Sequence, residues 1–195
     1  MNIQIERVET VQQWTTVFKI RTQVFQKEWG FTFERLPGPG ATGVHHFLAC
    51  DGKGNGIATL SIVETTSDIG LHRRYGLAFP EDHSVARYAQ LAVLRPYRGL
   101  HIPERLIQNA QRQVIHPNSF DFGWLLFPAN RAATCELTRT LGFTPRPEVF
   151  STEFGHCRVL VRDETAWRAA LAGPAEDATG QFLQEEGEVC AADRI

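Results

Sequence analysis

A chain of 195 residues has room for one domain of ordinary size plus a short appendage, which argues against a two-domain enzyme. Apolar residues make up 43% and charged residues 22%, and 13 Phe and 4 Trp supply large surfaces to bury, so most of the chain folds around a core rather than staying disordered. The net charge of −2 gives no general attraction to phosphate backbones or anionic lipid, which sets nucleic acid and membranes aside as partners.

Residues 1–7 show no basic region leading into an apolar stretch, and nowhere do about 18 apolar residues run together, as in a protein that is neither exported nor membrane-spanning. Ile3, Ile5 and Val8 instead alternate as in a half-buried strand. A helix follows, with Thr10 as cap, Gln13 three residues on, and Trp14, Val17, Phe18, Arg21, Val24 and Phe25 along one face. Residues 36–44 hold two prolines and three glycines and read as a loop. Residues 45–50 and 57–63 read as two strands of an antiparallel hairpin joined by a glycine-rich turn. Residues 67–82 read as a loop, 85–93 as a strand of small and apolar residues, and 104–114 as a helix. Phe122–Phe127 is an apolar run suited to a strand buried on both faces. Asn130 caps a helix running to Leu141, with Gly142 at its end, and Phe150 and Cys157–Val161 suggest two last strands before a short helix from Glu164 to Leu171. The order predicts an α/β fold with a mixed sheet. Cys50, Cys135, Cys157 and Cys190 share no C-x-x-C spacing and fit reduced thiols in cytoplasm. Residues 172–195 carry six acids and one base with few large apolar residues, so the chain divides into a domain over 1–171 and an acidic, flexible tail over 172–195.

The stretch from Leu91 to Ile107 carries the chemistry. A strand that ends in a tight turn and opens into a helix aims unpaired N–H groups and the positive end of the helix dipole at one point, a geometry that binds pyrophosphate. Arg95 and Arg98 flank the turn, and Gly99 allows close backbone approach. Here the chain resembles the GNAT superfamily of N-acyltransferases, with Leu91-Ala-Val93 as the strand part of the signature and Arg98 through Pro103 as its loop. Asn130 or Arg131 through Leu141-Gly-Phe143 resembles the family's segment after the fifth strand, and Arg21-Thr-Gln-Val-Phe-Gln-Lys-Glu-Trp29 its first-helix pattern. The likeness covers about residues 1–162 and implies a mixed, mostly antiparallel sheet flanked by helices. Two positions depart from it: His101 and Pro103 stand where the loop has glycines, and Thr138 stands where many members have an acidic Tyr. The first helix and the stretch from Arg73 to Gly99 also look like the branch of N-acyl amino acid synthases and acyl-homoserine-lactone synthases, which take long acyl chains, often from acyl carrier protein. Arg87 and Gln90 replace the Glu and Arg common there.

The resemblance implies acyl transfer from acetyl-CoA or another acyl-CoA to a primary amine of a small molecule. The donor's diphosphate would lie on Arg98, Gly99, Leu100, His101, Ile102 and Pro103, its pantetheine arm along Leu91, Ala92 and Val93, and Asn130 would touch the arm's far side. No carboxylate lies between Ser84 and Val93, so the base is sought among Glu64, Tyr88, the His45-His46 pair or a water ordered by Gln90, with Glu64 and Tyr88 ranked first and Thr138 in the acid's position. Each has a plainer reading, as a surface acid, an edge histidine or a core tyrosine. Cys135 reads as core packing, and Arg21 with Glu28 as a salt bridge on the helix surface. His45, His46 and His101 show no ligand spacing, so no metal is expected. An acyl carrier protein as donor, a homodimer, and a catalytically silent acyl-CoA sensor stay open.

Overall fold

The computed structural model describes residues 2–33, 35–64, 70, 74–80, 82–128, 141–152 and 155–172. Strand β1 (Ile3–Arg7) leads into helix α1 (Val11–Arg21) through a capping box. Thr10 Oγ1 accepts from the Gln13 N–H at 3.2 Å, and Gln13 Oε1 accepts from the Thr10 N–H at 3.0 Å, so two of the helix's orphan donors are satisfied. The helix runs on as a wider coil over Thr22–Glu28. Strands β2 (Val44–Asp51) and β3 (Gly56–Glu64) form the expected hairpin, its turn held by Asp51 Oδ1, which accepts from the N–H groups of Lys53 and Asn55. Then follow β4 (Val85–Val93), α2 (Ile102–Ala110) with a wider turn over Gln111–Ile115, β5 (Phe122–Pro128), β6 (Thr144–Thr152), β7 (Gly155–Asp163) and α3 (Glu164–Ala172).

The seven strands make one sheet in the order β1-β2-β3-β4-β5-β7-β6, in which only β4 and β5 are parallel neighbours. Side-chain alternation divides the core. Val17, Ile20, Val24 and Phe25 of α1 pack on Leu48, Cys50 and Ala92, while Ile102, Leu106, Ile107 and Ala110 of α2 pack on Phe47, Ala49, Leu60, Ile62, Ala86 and Tyr88 of the other face. The aromatic segment after α1 and part of the 67–82 segment cap this core: Phe33 packs with Phe25, and Tyr75 and Leu77 lie on Trp124 and Val85.

Two irregularities separate the middle of the sheet. Thr59 pairs with Ala92 and Ser61 with Ala89, so Gln90 and Leu91 together oppose Leu60 alone. This is a bulge, and it puts Gln90 at φ 53°, a left-handed conformation that a side chain disfavours. The β4–β5 register covers only Val85–Arg87 against Phe122–Trp124, after which β4 stays with β3 and β5 stays with β7 as far as Pro128. A notch therefore opens between β4 and β5 on the side of their C-terminal ends.

The last strand pair differs from expectation at its start. Strand β6 begins at Thr144, ahead of Phe150, because Pro145 and Pro147 are tolerable on the sheet's edge, and the register shifts between Pro145 and Val149. Of the helix expected from Asn130 to Leu141, residues 130–140 lie outside the described residues, as does the tail beyond Ala172.

Below the notch a buried polar cluster ties β4, β7 and α3 together. The Arg162 guanidinium donates to Glu164 at 2.8 Å, to the Tyr88 hydroxyl at 2.6 Å and to the Leu141 carbonyl at 2.7 Å, and it lies 4.2 Å from the Phe143 ring. The Tyr88 hydroxyl in turn donates to Glu164 Oε1 at 2.9 Å. Gly123 leaves the room, since a Cβ there would collide with Glu164 Oε1 and come within 2.7 Å of Tyr88 Cε2. Glu164→Gln, which leaves Arg162 without its counter-charge, is expected to destabilise the fold by about 3–5 kcal/mol. Urea unfolding of the two proteins checks this, and an unchanged midpoint would refute it.

Candidate functional site

From the end of β4 the chain turns through Arg95–Tyr97 and enters α2 by way of two left-handed residues, Gly99 at φ 81° and His101 at φ 54°. A Cβ on Gly99 would meet nothing within 4 Å, so glycine is needed there for its backbone angle rather than for room. Ile102 and Pro103 occupy the first turn of α2, where a missing N–H leaves no helical bond unmade. His101 caps no backbone group, and its Nδ1 lies 3.3 Å from Glu104 Oε1. Leu100 stands exposed at the outer side of the turn. Beyond the bulge, Ala92 and Val93 pair with Thr59 and Ala58, and their opposite edge faces the notch. Leu91 packs against the α2-face core.

Arg98 is already engaged. Its Nε donates to the Val93 carbonyl at 3.0 Å, and its Nη2 lies 2.6 Å from Glu28 Oε2. This corrects the expected pairing of Arg21 with Glu28. Arg21 turns inward instead, 1% exposed, and donates from Nη2 to Thr59 Oγ1 at 3.3 Å and Ser61 Oγ at 2.5 Å, with its guanidinium 5.4 Å from the Trp14 ring. The two ends of the first-helix motif therefore serve different places: Arg21 lies on the sheet and Glu28 on the turn before α2.

The donor directions along this line are forced. Arginine only donates and the Pro37 carbonyl only accepts, so Ser61 Oγ accepts from Arg21, the neutral His46 donates from Nε2 to Pro37 at 2.7 Å, and the Ser61 hydroxyl donates to His46 Nδ1 at 2.5 Å. Burial first, then the nearby Arg21 charge, lowers the His46 pKa to about 4, against the opposing pull of the Pro37 carbonyl. Thr59 and Ser61 were legible as polar residues two apart in an apolar strand. The bulge at Gln90 leaves no mark in the sequence.

Glu64 and Tyr88 have separate partners. Glu64 stands at the end of β3 opposite Ala86, where β4 is still paired to β5, and its Oε1 accepts from His45 Nε2 at 2.9 Å. His45 Nδ1 in turn accepts from Arg7 Nη2 at 2.6 Å. These groups, with residues 39–44 and His46, line a pocket of about 300 Å³. Tyr88 is buried, and its phenol is spent on Arg162 and Glu164. Burial raises its pKa well above the ordinary value, Arg162 opposes that and Glu164 adds to it, so the phenolate that would act as a base is withheld. The structure thus places the Tyr88 hydroxyl inside the Arg162–Glu164 cluster. Thr138 and Asn130 lie outside the described residues. Among the described residues no group of three His, Cys, Asp or Glu side chains converges, and no helix is long and apolar enough to cross a membrane.

Since folded His46 stays neutral down to about pH 4 while the unfolded ring protonates near 6.5, the unfolded state binds more protons in that window. Stability is therefore expected to fall as pH drops from 6.5 towards 4. His46→Gln, which keeps an acceptor for Ser61 and a donor for Pro37, should flatten part of that slope in thermal melts, and an unaltered slope would refute the assignment.

No protein-family model matches the sequence, and no curated protein matches it. Solved structures do match in shape. FeeM, an N-acyl amino acid synthase from uncultured soil microbes, superposes with a TM-score of 0.65 at 12% identity, covering 86% of this chain and 94% of that one. ElaA of Escherichia coli gives 0.62 at 17%, covering 83% and 100%. An acyl-CoA N-acyltransferase of Pseudomonas aeruginosa gives 0.58 at 18%, covering 83% and 99%. With its notched seven-stranded sheet and its turn into α2, the chain has the GNAT fold.

Proposed function

We propose that this protein transfers an acyl group from acyl-CoA to the primary amine of a small molecule. The observation that carries the reading is the notch itself: a β4 edge that parts from β5 after Arg87, carries a bulge, and leads into a left-handed turn at the N-terminus of α2. An extended pantetheine arm matches a free strand edge, because its amides can pair with β4 as a further strand would. A diphosphate matches the turn, where Gly99, Leu100, His101 and Ile102 bring backbone N–H groups together while Pro103 brings none. The likeness in fold to an acyl-CoA N-acyltransferase supports the donor class.

In such a reaction the neutral amine, formed by loss of a proton from its ammonium form, attacks the thioester carbonyl carbon. A C–N bond forms, the C–S bond breaks, the nitrogen gives up one further proton and the leaving thiolate takes one up. The protein's share is to hold the two reactants in line and to polarise the carbonyl with a backbone N–H at the bulge. The ion pair of Arg98 with Glu28 favours a second reading, in which the donor is acyl carrier protein, since a pantetheine joined through one phosphate asks less of this turn than a diphosphate does.

Calorimetric titration with acetyl-CoA, a long-chain acyl-CoA and free coenzyme A tests the donor, and thiol release in the presence of an amine separates an enzyme from a silent sensor. Arg98→Ala combined with Gly99→Glu is expected to abolish binding without unfolding the domain. Glu28→Gln, which frees Arg98 for phosphate, is expected to tighten binding several-fold. Binding that neither change alters would remove the turn from the site, and no binding of any coenzyme A species would leave the carrier-protein donor.

A further inference from the structure

The entry to α2 holds a carboxylate where the acyl-transfer reading places a diphosphate. Glu104 stands in the first turn of the helix with its side chain 13% exposed. Its Oε1 lies 3.3 Å from His101 Nδ1, and its Oε2 is buried without a partner. The permanent cations nearby are turned elsewhere. Arg98 is paired with Glu28, Arg105 donates from Nη2 to the Ile3 carbonyl of β1 at 2.9 Å, and Arg95 is exposed on the preceding turn. On the β2–β3 turn, tied to this region by the Tyr97 hydroxyl, Asp51 also accepts from the N–H groups of Lys53 and Asn55, and Lys53 itself is exposed. Among the described residues no arginine or lysine bonds to Glu104, so an anion arriving at the helix start meets a negative charge.

His101 decides what that charge does. It precedes the helix in a left-handed conformation, and its side chain is 69% exposed, open to a ligand from solvent. A neutral imidazole has a single N–H. Given to Glu104 from Nδ1, it leaves a lone pair at Nε2, which repels a phosphate oxygen as Glu104 does. An imidazolium has an N–H on each side of the ring and bridges two anions, Glu104 through Nδ1 and a phosphate oxygen through Nε2. Imidazole is also the side chain whose charge changes within the ordinary pH range. The glycine in the loop that this turn resembles has no side chain to do this.

We propose that His101 is a proton-coupled anchor for the donor's diphosphate: binding adds a proton to the imidazole, and the imidazolium joins the diphosphate to Glu104. The inference rests on the acyl-transfer reading above and concerns the donor site of that reading. The bound state holds more protons than the free one, so affinity rises as pH falls through the range in which imidazole titrates.

Calorimetric titration with dephospho-coenzyme A is the test. This ligand keeps the diphosphate and lacks the phosphate monoester, which itself titrates near neutrality. At about pH 7.5, in HEPES and in Tris, whose ionisation enthalpies differ, the unaltered protein is expected to give heats that differ by the uptake of a fraction of a proton. Affinity is expected to rise about 5- to 10-fold from about pH 8 to about pH 6.5. Heats independent of the buffer, an affinity flat with pH, or no binding at either pH would each overturn the proposal. Asparagine tolerates the left-handed backbone, so His101→Asn keeps the turn and removes the titrating ring. Uptake and slope are expected to vanish in it, and uptake that survives would place the proton elsewhere and overturn the assignment. Glu104→Gln is expected to tighten binding several-fold at about pH 8 and to shrink the slope. If either variant fails to fold, the buffer dependence of the unaltered protein decides. Thiol release from acetyl-CoA in the presence of an amine is followed separately. Turnover without proton uptake leaves the acyl-transfer reading standing and removes the anchor, whereas proton-coupled binding without turnover leaves the anchor on a silent sensor.

Discussion

One inserted residue in β4 governs the architecture around the notch. A regular strand would keep Gln90 in register with β3 and carry the β4–β5 ladder onward. Instead the bulge sets two residues against Leu60, forces Gln90 to φ 53° and turns the rest of the strand aside. Strand β5 cannot follow, because its other edge is paired with β7 along its whole length. The free edge at Ala92 and Val93 is what remains when one strand bends and its neighbour is held. A left-handed residue other than glycine is unfavourable, and such strain persists only where the surroundings over-determine it.

Those surroundings are two buried polar assemblies on opposite faces of the sheet. On the α2 face, Arg162, Glu164 and Tyr88 cross-link β7, α3 and β4 at the point where β4 and β5 are still together. On the α1 face, the line from Arg21 through Ser61 and His46 to Pro37 fastens helix, strand and loop beside the bulge. The first is closed by a carboxylate and needs nothing more. The second ends in a cation held by two hydroxyls, with its Nε buried without a partner.

The fold was largely legible in the sequence, because its elements obey local rules. The capping box at Thr10 and Gln13, the Asp51–Gly56 turn and the apolar run of β5 each depend on neighbours in the chain, and each formed where those neighbours put it. The site was legible only in part. Gly99 marked the turn before α2, although its need is a backbone angle and not close approach. Glu28 and Arg21 read as partners from their spacing, yet each found a group from distant sequence, Arg98 in one case and Ser61 in the other. Tyr88 read as a possible base because nothing in β4 reveals Arg162 and Glu164, 74 and 76 residues away. Register, bulges and long-range ion pairs are properties of the assembled sheet, and one strand's residues do not carry them.

The prolines of β6 reach beyond the chain itself. As the outermost strand on its side, β6 is where a second sheet would zip on, backbone to backbone. Pro145 and Pro147 offer no N–H, and the shifted register between Pro145 and Val149 bends the stretch they occupy. An incoming strand would find the ladder interrupted in its first half, so this border of the sheet guards against runaway stacking. The far border at β1 carries no proline, and there Ile3 gives its carbonyl to Arg105.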